Sequence, residues 1–356
     1  MTCSPKVKTA VKSVLGLVVF VILIFAGFLA WQTLKEYNPL PVEAIQVAGT
    51  PDSVPDTLML TTFNIGYCGL GAEMDFFYEG GKMARPTEEL LNRYQQGMLQ
   101  RLKSFSKSDF ILIQEVDTCA KRSWYSNQLD MIRSEMPEYE TFFAMNYKAW
   151  VPMPVTNPMG KVRAGLVSLS KYTPAQAERN SFNSGYSWPM SLFMLKRCFL
   201  VKRFPTRNGA ELVLVNTHNS AFSDAAEIRE KELAQLRQLM DDEAKKGNYV
   251  IIGGDWNQNP VGFDTTQLLA QYLPKVIEPP IPGDFLPQGW SFACDPLHST
   301  NRNVEIPYTS GVTLTTLIDF FVVSPNIEVL STQTTDIGFA ESDHQPVTLR
   351  VVLRKP

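Results

Sequence analysis

Four apolar runs in this chain each stop at a single polar group: Leu58 to Asn64, Phe110 to Glu115, Leu212 to His218, and Tyr249 to Asp255, the last followed by Trp256 and Asn257. A fifth run, Leu317 to Val323, is interrupted by one acid, Asp319. Runs of this length and make-up predict strands. Strand after strand therefore delivers one metal-capable or proton-capable group. The segment Glu341 to Pro346 adds Asp343 and His344 in a tight turn ahead of a closing strand, Thr348 to Leu353. A carboxylate and an imidazole leaving one turn can hold a divalent cation and polarise a phosphate.

Between the strands, Glu88 to Lys103 repeats apolar residues at Leu90, Leu91, Tyr94, Met98 and Leu102. Asp224 to Lys246 carries Ala226, Leu233, Leu236 and Leu239 among Glu and Lys. Both patterns predict helices. Strands interspersed with a few helices, with strands first and last, predict packed sheets faced by helices over residues 57–356. At 356 residues and 44% hydrophobic content, the chain can bury a large core in one or two domains.

Residues 13–34 carry no charge, and Val14 to Ala30 are entirely Val, Leu, Ile, Phe, Gly and Ala, long enough to cross a bilayer as a helix. Trp31 sits where an interfacial aromatic belongs. Lys6, Lys8 and Lys12 lie in the basic start, residues 1–12, whereas Lys35 and Glu36 cancel behind the run. This asymmetry predicts a single-pass protein with its N-terminus in the cytoplasm and the bulk outside, in a bacterial periplasm. A cleaved signal peptide, giving a secreted domain, is the alternative; the length of the run and poor cleavage pairs such as Phe28 with Ala30 favour retention. Residues 35–56, with Pro39, Pro41, Pro51 and Pro55, read as a linker lifting the domain off the membrane. A net charge of -3 and a pI near 5.8 remove the broad basic field on which non-specific nucleic-acid binding depends, which weakens a nucleic-acid substrate without excluding it. Cys3 falls on the cytoplasmic side, leaving Cys68, Cys119, Cys198 and Cys294 as buried thiols or one disulfide. No CxxC is present, which argues against a zinc site.

Asn64 after its strand, Gln114-Glu115, Asn216-Thr217-His218, Gly254-Asp255-Trp256-Asn257, Ile318-Asp319-Phe320 and Ser342-Asp343-His344 form an ordered set. In order and approximate spacing this set resembles the endonuclease/exonuclease/phosphatase superfamily, over about residues 57–354. That group includes deoxyribonucleases, abasic-site endonucleases, inositol-polyphosphate 5-phosphatases and neutral sphingomyelinases. The resemblance implies an α/β fold, a four-layer α/β/β/α sandwich of two mainly antiparallel sheets flanked by helices, preceded here by one N-terminal transmembrane helix. It also implies Mg²⁺-dependent attack of water on phosphorus, with Mn²⁺ or Ca²⁺ as alternative ions.

The residues themselves support definite roles. Glu115 is a hard oxygen ligand on a strand end, suited to Mg²⁺, and Asn64 offers a neutral carbonyl near the same cation. Asp255 and Asn257, two apart, face one way in an extended chain; the anionic acid can take a proton from water while the amide donates to a phosphoryl oxygen. Asp319 and His344 read as a carboxylate–imidazole pair in which the acid raises the basicity of the ring. By the resemblance, Asp343 completes the metal shell and His218 is a second active-site histidine. Which histidine acts as acid stays open. Trp256 reads as packing and His298 as a loop residue.

Two loops are candidates for binding substrate or for simple solvation: residues 69–86, with Lys82 and Arg85, and residues 290–308, where Arg302 can make a bidentate phosphate contact. Residues 145–159, rich in Met, Trp and Pro and followed by Lys161 and Arg163, form either an apolar lip that meets lipid or an irregular edge; Arg163 joins the substrate-binding candidates. The leading expectation is a membrane-anchored phosphodiesterase acting on phospholipid or sphingolipid head groups, with the bilayer and a phosphate-ester substrate as partners and no obligate protein partner. A nuclease or sugar/inositol-phosphate phosphatase of the same mechanism is one alternative, and a catalytically silent membrane-bound binding protein is another.

Overall fold

Apolar strands need cover on both faces, and the order of elements supplies it. The structure, a computed structural model, describes residues 5–221, 226–263 and 280–354. The chain opens with α1 (Pro5–Leu34), β1 (Val42–Ile45), β2 (Thr57–Asn64), α2 (Glu88–Ser104), β3 (Phe110–Asp117) and α3 (Gln128–Glu135). It continues through β4 (Glu140–Val151), β5 (Gly160–Ser170), β6 (Gln176–Ser181), β7 (Cys198–Pro205), β8 (Glu211–His218) and α4 (Ala226–Lys245). It closes with β9 (Tyr249–Asp255), β10 (Ser291–Ala293), β11 (Asn301–Arg302), β12 (Thr315–Thr316), β13 (Asp319–Val323), β14 (Ile327–Thr334) and β15 (Val347–Leu353).

Among the described residues two large sheets form, ordered β1-β6-β7-β8-β9-β13-β10 and β14-β15-β2-β3-β5-β4. Their pairs are antiparallel except β2 with β3 and β8 with β9. Side-chain alternation then builds four layers. Phe110 and Leu112 of β3 meet Leu212, Leu214 and Ile251 between the sheets, while Ile111 and Ile113 point outward onto Leu91, Met98 and Ile132 of α2 and α3. On the other side Val213, Val250 and Ile252 point out onto Leu233, Leu236 and Met240 of α4. The α/β/β/α sandwich is thus present. The α2 helix begins where its pattern predicts, with Thr87 accepting from the Leu90 amide at 3.2 Å. The second predicted helix is seen as α4; Asp224 lies outside the described residues.

The α1 helix holds one stretch, Thr9–Leu34, long and apolar enough to cross a membrane. The following residues do not behave as the expected linker. Strand β1 pairs with β6 at the sheet edge, Val54 is buried and bridges Thr206, and the Asp52 carboxylate accepts from the Thr173 amide at 2.9 Å. The prolines flank β1 and none lies within it, so the strand keeps its N–H donors and a Pro-rich stretch can still close a sheet. Cys68, Cys119, Cys198 and Cys294 are free thiols.

Candidate active site

The register of the sheets places the polar strand ends in one row. His218 pairs with Asp255 across β8 and β9, and Asp255 pairs with Asp319 across β9 and β13. Gly254 makes the first pairing feasible: a Cβ there would stand 2.0 Å from the Thr217 carbonyl oxygen, and its φ is +147°. On the facing sheet Asn64 pairs with Gln114, one residue before Glu115. Below the row, Gln114 donates to Asn216 Oδ1 at 2.7 Å, and Asn216 donates to the Val167 carbonyl at 2.9 Å, a polar clamp between the sheets.

The β3–β5 register shifts between Ile113 and Val116, and Glu115 adopts φ 57° within that irregularity. An extra residue in a strand re-aims its side chain. Glu115 is thereby the acid that reaches solvent, with its side chain 23% exposed, whereas Asp255, Asp319, His218 and His344 are buried. The turn before β15 brings Asp343 and His344 across from the opposite wall; Ser342 Oγ donates to the Asn64 carbonyl at 2.8 Å and fixes that turn to β2.

The side chains converge. His344 Nδ1 lies 2.8 Å from Asp319 Oδ2, and His344 Nε2 lies 3.7 Å from Asp255 Oδ2. His218 Nε2 approaches the same Asp255 oxygen at 3.4 Å and Glu115 at 3.9 Å. Asn257 uses its amide N–H to hold Asp255 Oδ1 at 2.9 Å and its side chain to bond the Asn219 carbonyl at 2.8 Å. Burial pushes Asp255 up to about 7, with the Asp319 charge adding and His344 opposing. Burial likewise raises Asp343 to about 6, with Glu115 adding. Burial alone would lower His344, yet the carboxylates of Asp319, Asp255 and Asp343 outweigh it and hold the ring well above the usual histidine range. His218 is pushed well below that range by burial and by the nearby Arg197 and His344. The two histidines are thus pushed in opposite directions, beside a carboxyl raised toward neutrality. Environments that push neighbouring groups apart in this way suit acid–base work.

A model of the Endonuclease/Exonuclease/phosphatase family matches residues 61–344. The chain belongs to this family. No curated protein matches the chain. Among solved structures it is similar to an endonuclease/exonuclease/phosphatase from Beutenbergia cavernae (13% identity, TM-score 0.55, covering 84% of this chain and 72% of that one). It is also similar to one from Bacteroides vulgatus (17%, TM-score 0.52, covering 84% and 99%). A third is D. rerio TDP2 complexed with single strand DNA product (14%, TM-score 0.51, covering 83% and 99%). At such identities the likeness is one of fold. Members of the endonuclease/exonuclease/phosphatase family are in general hydrolases of phosphate esters and typically depend on a divalent metal.

The residues fit such an ion. Asp255, Asp319 and His344 offer ligand atoms all within 4.8 Å of one another. The 2.8 Å bond between His344 and Asp319 already occupies that pair, however. Glu115 and Asp343 are better placed, as hard oxygen donors whose mutual repulsion a cation relieves. Asn64 departs from its expected part: its Oδ1 accepts from the Gly66 amide at 2.9 Å, so its NH₂ faces the cluster and donates to Asp255 Oδ2 at 2.9 Å. Here Asn64 orients the acid rather than offering a carbonyl to metal. Gly66 is needed at that turn, since its φ is +49° and a Cβ would stand 2.7 Å from Asp343 Oδ1.

The substrate-binding candidates fare differently. Arg302 is buried, and its guanidinium donates to the carbonyls of Leu70, Gly71, Met74, Asn303 and Ile306, so it pins the 69–86 loop and is not free for phosphate. Arg85 stacks over the Trp124 ring at 4.7 Å, and Lys82 and Arg163 are exposed; none of the three contacts the cluster among the described residues. His298 is exposed and paired with Asp295, and Trp256 stacks on Phe320 as packing.

Several site residues carried no local signal. Asn301 reaches His344 Nε2 at 3.0 Å from 43 positions away. Arg197 donates to the His218 carbonyl at 3.3 Å. Tyr67, with φ 43°, buries a hydroxyl that has no partner, as do His218 Nδ1, Asn219 Nδ2 and Asp319 Oδ1. His218 Nδ1 and Asp319 Oδ1 thus keep hydrogen-bonding capacity within the cluster that water or a polar ligand can satisfy.

Proposed function

We propose that this chain is a membrane-anchored, divalent-metal-dependent phosphodiesterase, most at home on phospholipid or sphingolipid head groups, in the manner of neutral sphingomyelinases. The observation that carries the chemistry is the convergence of His218, Asp255, Asp319 and His344 with Glu115 and Asp343 in one cluster, with Asn257 holding Asp255 through its backbone amide while its side chain is spent on the Asn219 carbonyl and not on a phosphoryl oxygen. Asp255 takes the proton of the attacking water; its raised pKa, held by burial, makes it a usable base near neutrality. His344, kept protonated by Asp319, faces the developing phosphoryl charge, and neutral His218 stands beside Asp255 to orient the water. Glu115 and Asp343 would hold the divalent cation, Mg²⁺ in this reading, which supplies Lewis-acid polarisation of the phosphoryl oxygens when bound.

The lipid preference draws support from the apolar α1 helix and from the acidic pI near 5.8, which disfavours a polyanion. The positive-inside pattern of Lys6, Lys8 and Lys12 supports a cytoplasmic N-terminus with the domain outside, and the short basic start and compact anchor suit a bacterial periplasm. Release of phosphocholine or another head group from vesicles, with and without chelator, tests the proposal, with His344→Ala as the inactive control. No turnover of any lipid rejects the lipid reading. A nuclease is the second reading, favoured by the similarity to the TDP2 structure with its single strand DNA product. Nicking of plasmid DNA at low salt tests it.

A further inference from the structure

We infer that the end of the sandwich bearing the catalytic residues faces the bilayer that α1 enters, seated there by an apolar collar of two loops. The inference rests on the lipid-ester reading above and adds which face of the domain meets lipid.

Register alone brings four features to one end. Strand β3 finishes as Asp117 pairs with Ala164, so the four residues Gly160 to Arg163 of β5, with their β4 partners Lys148 to Val151, run on past the Glu115 end. At about 3.3 Å per residue the hairpin overshoots by roughly 13 Å. Phe199 pairs with Thr217, so the loop entering β7, residues 182–197, emerges beside His218. Ser181 pairs with Cys198 and Val42 with Asn180, which brings the chain leaving α1 to the same end.

The contacts agree. The last turns of α1 are wedged between the hairpin and the 182–197 loop. Phe28 stacks on Phe193 at 6.1 Å and meets the Trp150 ring edge-on at 5.7 Å. Gln32 donates to the Trp150 carbonyl at 2.6 Å, Trp188 Nε1 donates to Thr33 Oγ1 at 3.2 Å, and Glu36 pairs with Lys196. Around this junction Trp150, Met153, Val155, Trp188 and Met190 are exposed. Large apolar side chains left uncovered around the exit of an apolar helix are covered by what that helix enters, and the two indoles suit the head-group level. Exposed Lys148, Lys161 and Arg163 lie on the same hairpin, where cations favour an anionic surface. The collar is also joined to the cleft: Tyr78 donates to the Met153 carbonyl at 2.6 Å, and Val151 and Met159 pack in one cluster with Tyr67. A phosphate ester at the bilayer surface therefore meets the site without leaving the membrane.

The test uses the full chain in phosphatidylcholine/phosphatidylglycerol vesicles. Brominated phospholipid should quench Trp31→Phe strongly, and the added changes Trp150→Phe and Trp188→Phe should remove about half or more of that quenching. Equal quenching in both overturns the docking. Met153→Glu with Val155→Glu should lower head-group release from vesicles by about tenfold while leaving hydrolysis of soluble bis(p-nitrophenyl) phosphate unchanged. Loss of both activities alike, or of neither, overturns it as well. A wild type that releases no head group yet keeps the quenching difference removes the lipid substrate and leaves the orientation standing.

Discussion

Two places between the sheets bury groups that carry charge in water, and they deal with it in opposite ways. At the strand ends, Asp255, Asp319, His218 and His344 lie within reach of one another, so each acid meets an imidazole or an amide donor. Further along β7, Lys202 is fully buried with no hydrogen-bond partner, its Nζ 5.4–5.7 Å from the ring centres of Phe110, Phe142 and Phe204. Burial pushes Lys202 down to about 7. In the cluster, neighbouring carboxylates hold His344 up while burial, Arg197 and His344 push His218 down, whereas on the lone amine burial dominates and drives the proton off. A perturbed pKa thus marks a site only where several titratable groups share one opening.

The sharpest way to break this contrast is at the rim of the cluster. Glu115→Gln should lower turnover by about 10²–10³ at saturating Mg²⁺, because in the proposed mechanism Glu115 is an anionic ligand of the cation and glutamine keeps its shape. Its melting temperature should stay near wild type, since Glu115 sits at the opening. An unchanged rate would return Glu115 to the status of a surface residue. Next in size is Arg302→Met. It strips a donor from five backbone carbonyls, so stability should fall by about 3–5 kcal/mol in denaturant unfolding. A raised KM at unchanged stability would instead make Arg302 a phosphate contact.

Arg302 also shows where reading the sequence stops. Thr300-Asn301-Arg302 presents a cation in a loop before the Asp319 strand, and nothing local reveals that residues 70–74 fold beneath it. The strand ends were legible because each polar group closes an apolar run, a pattern of period and composition. The bulge that turns Glu115 into the cleft was not, because a register shift belongs to the pairing of β3 with β5 rather than to either strand. Asn301 was missed for the same reason: its contact with His344 is long-range. The four-residue β1 was read as linker because four residues among prolines give too little alternation to register.

Lys202→Met probes the other half of the contrast, and its sign is opposite. The folded-state pKa, about 7, lies below the ordinary 10.5. Above pH 10.5 the amine is neutral in both states and adds no pH-dependent cost. Between there and pH 7 only the unfolded chain holds the proton, so wild-type stability falls as pH falls, and below pH 7 the loss is complete. The methionine variant should be more stable by about 2–4 kcal/mol at pH 7 or below, and its advantage should shrink toward pH 10. A pH-independent difference would mean that the amine is solvated in the folded chain.

The smallest effect belongs to the one histidine outside the cluster. His298 Nδ1 lies 2.9 Å from Asp295 Oδ2, a distance like that between His344 and Asp319, but its side chain is 52% exposed. Asp295 keeps two backbone donors without it, from Leu297 at 3.2 Å and Thr334 at 3.0 Å. His298→Ala should therefore change stability by no more than about 0.5 kcal/mol and leave turnover as it was. The two pairs share geometry and differ in solvent, so a large loss at His298 would mean that distance, not burial among other titratable groups, decides which histidine matters.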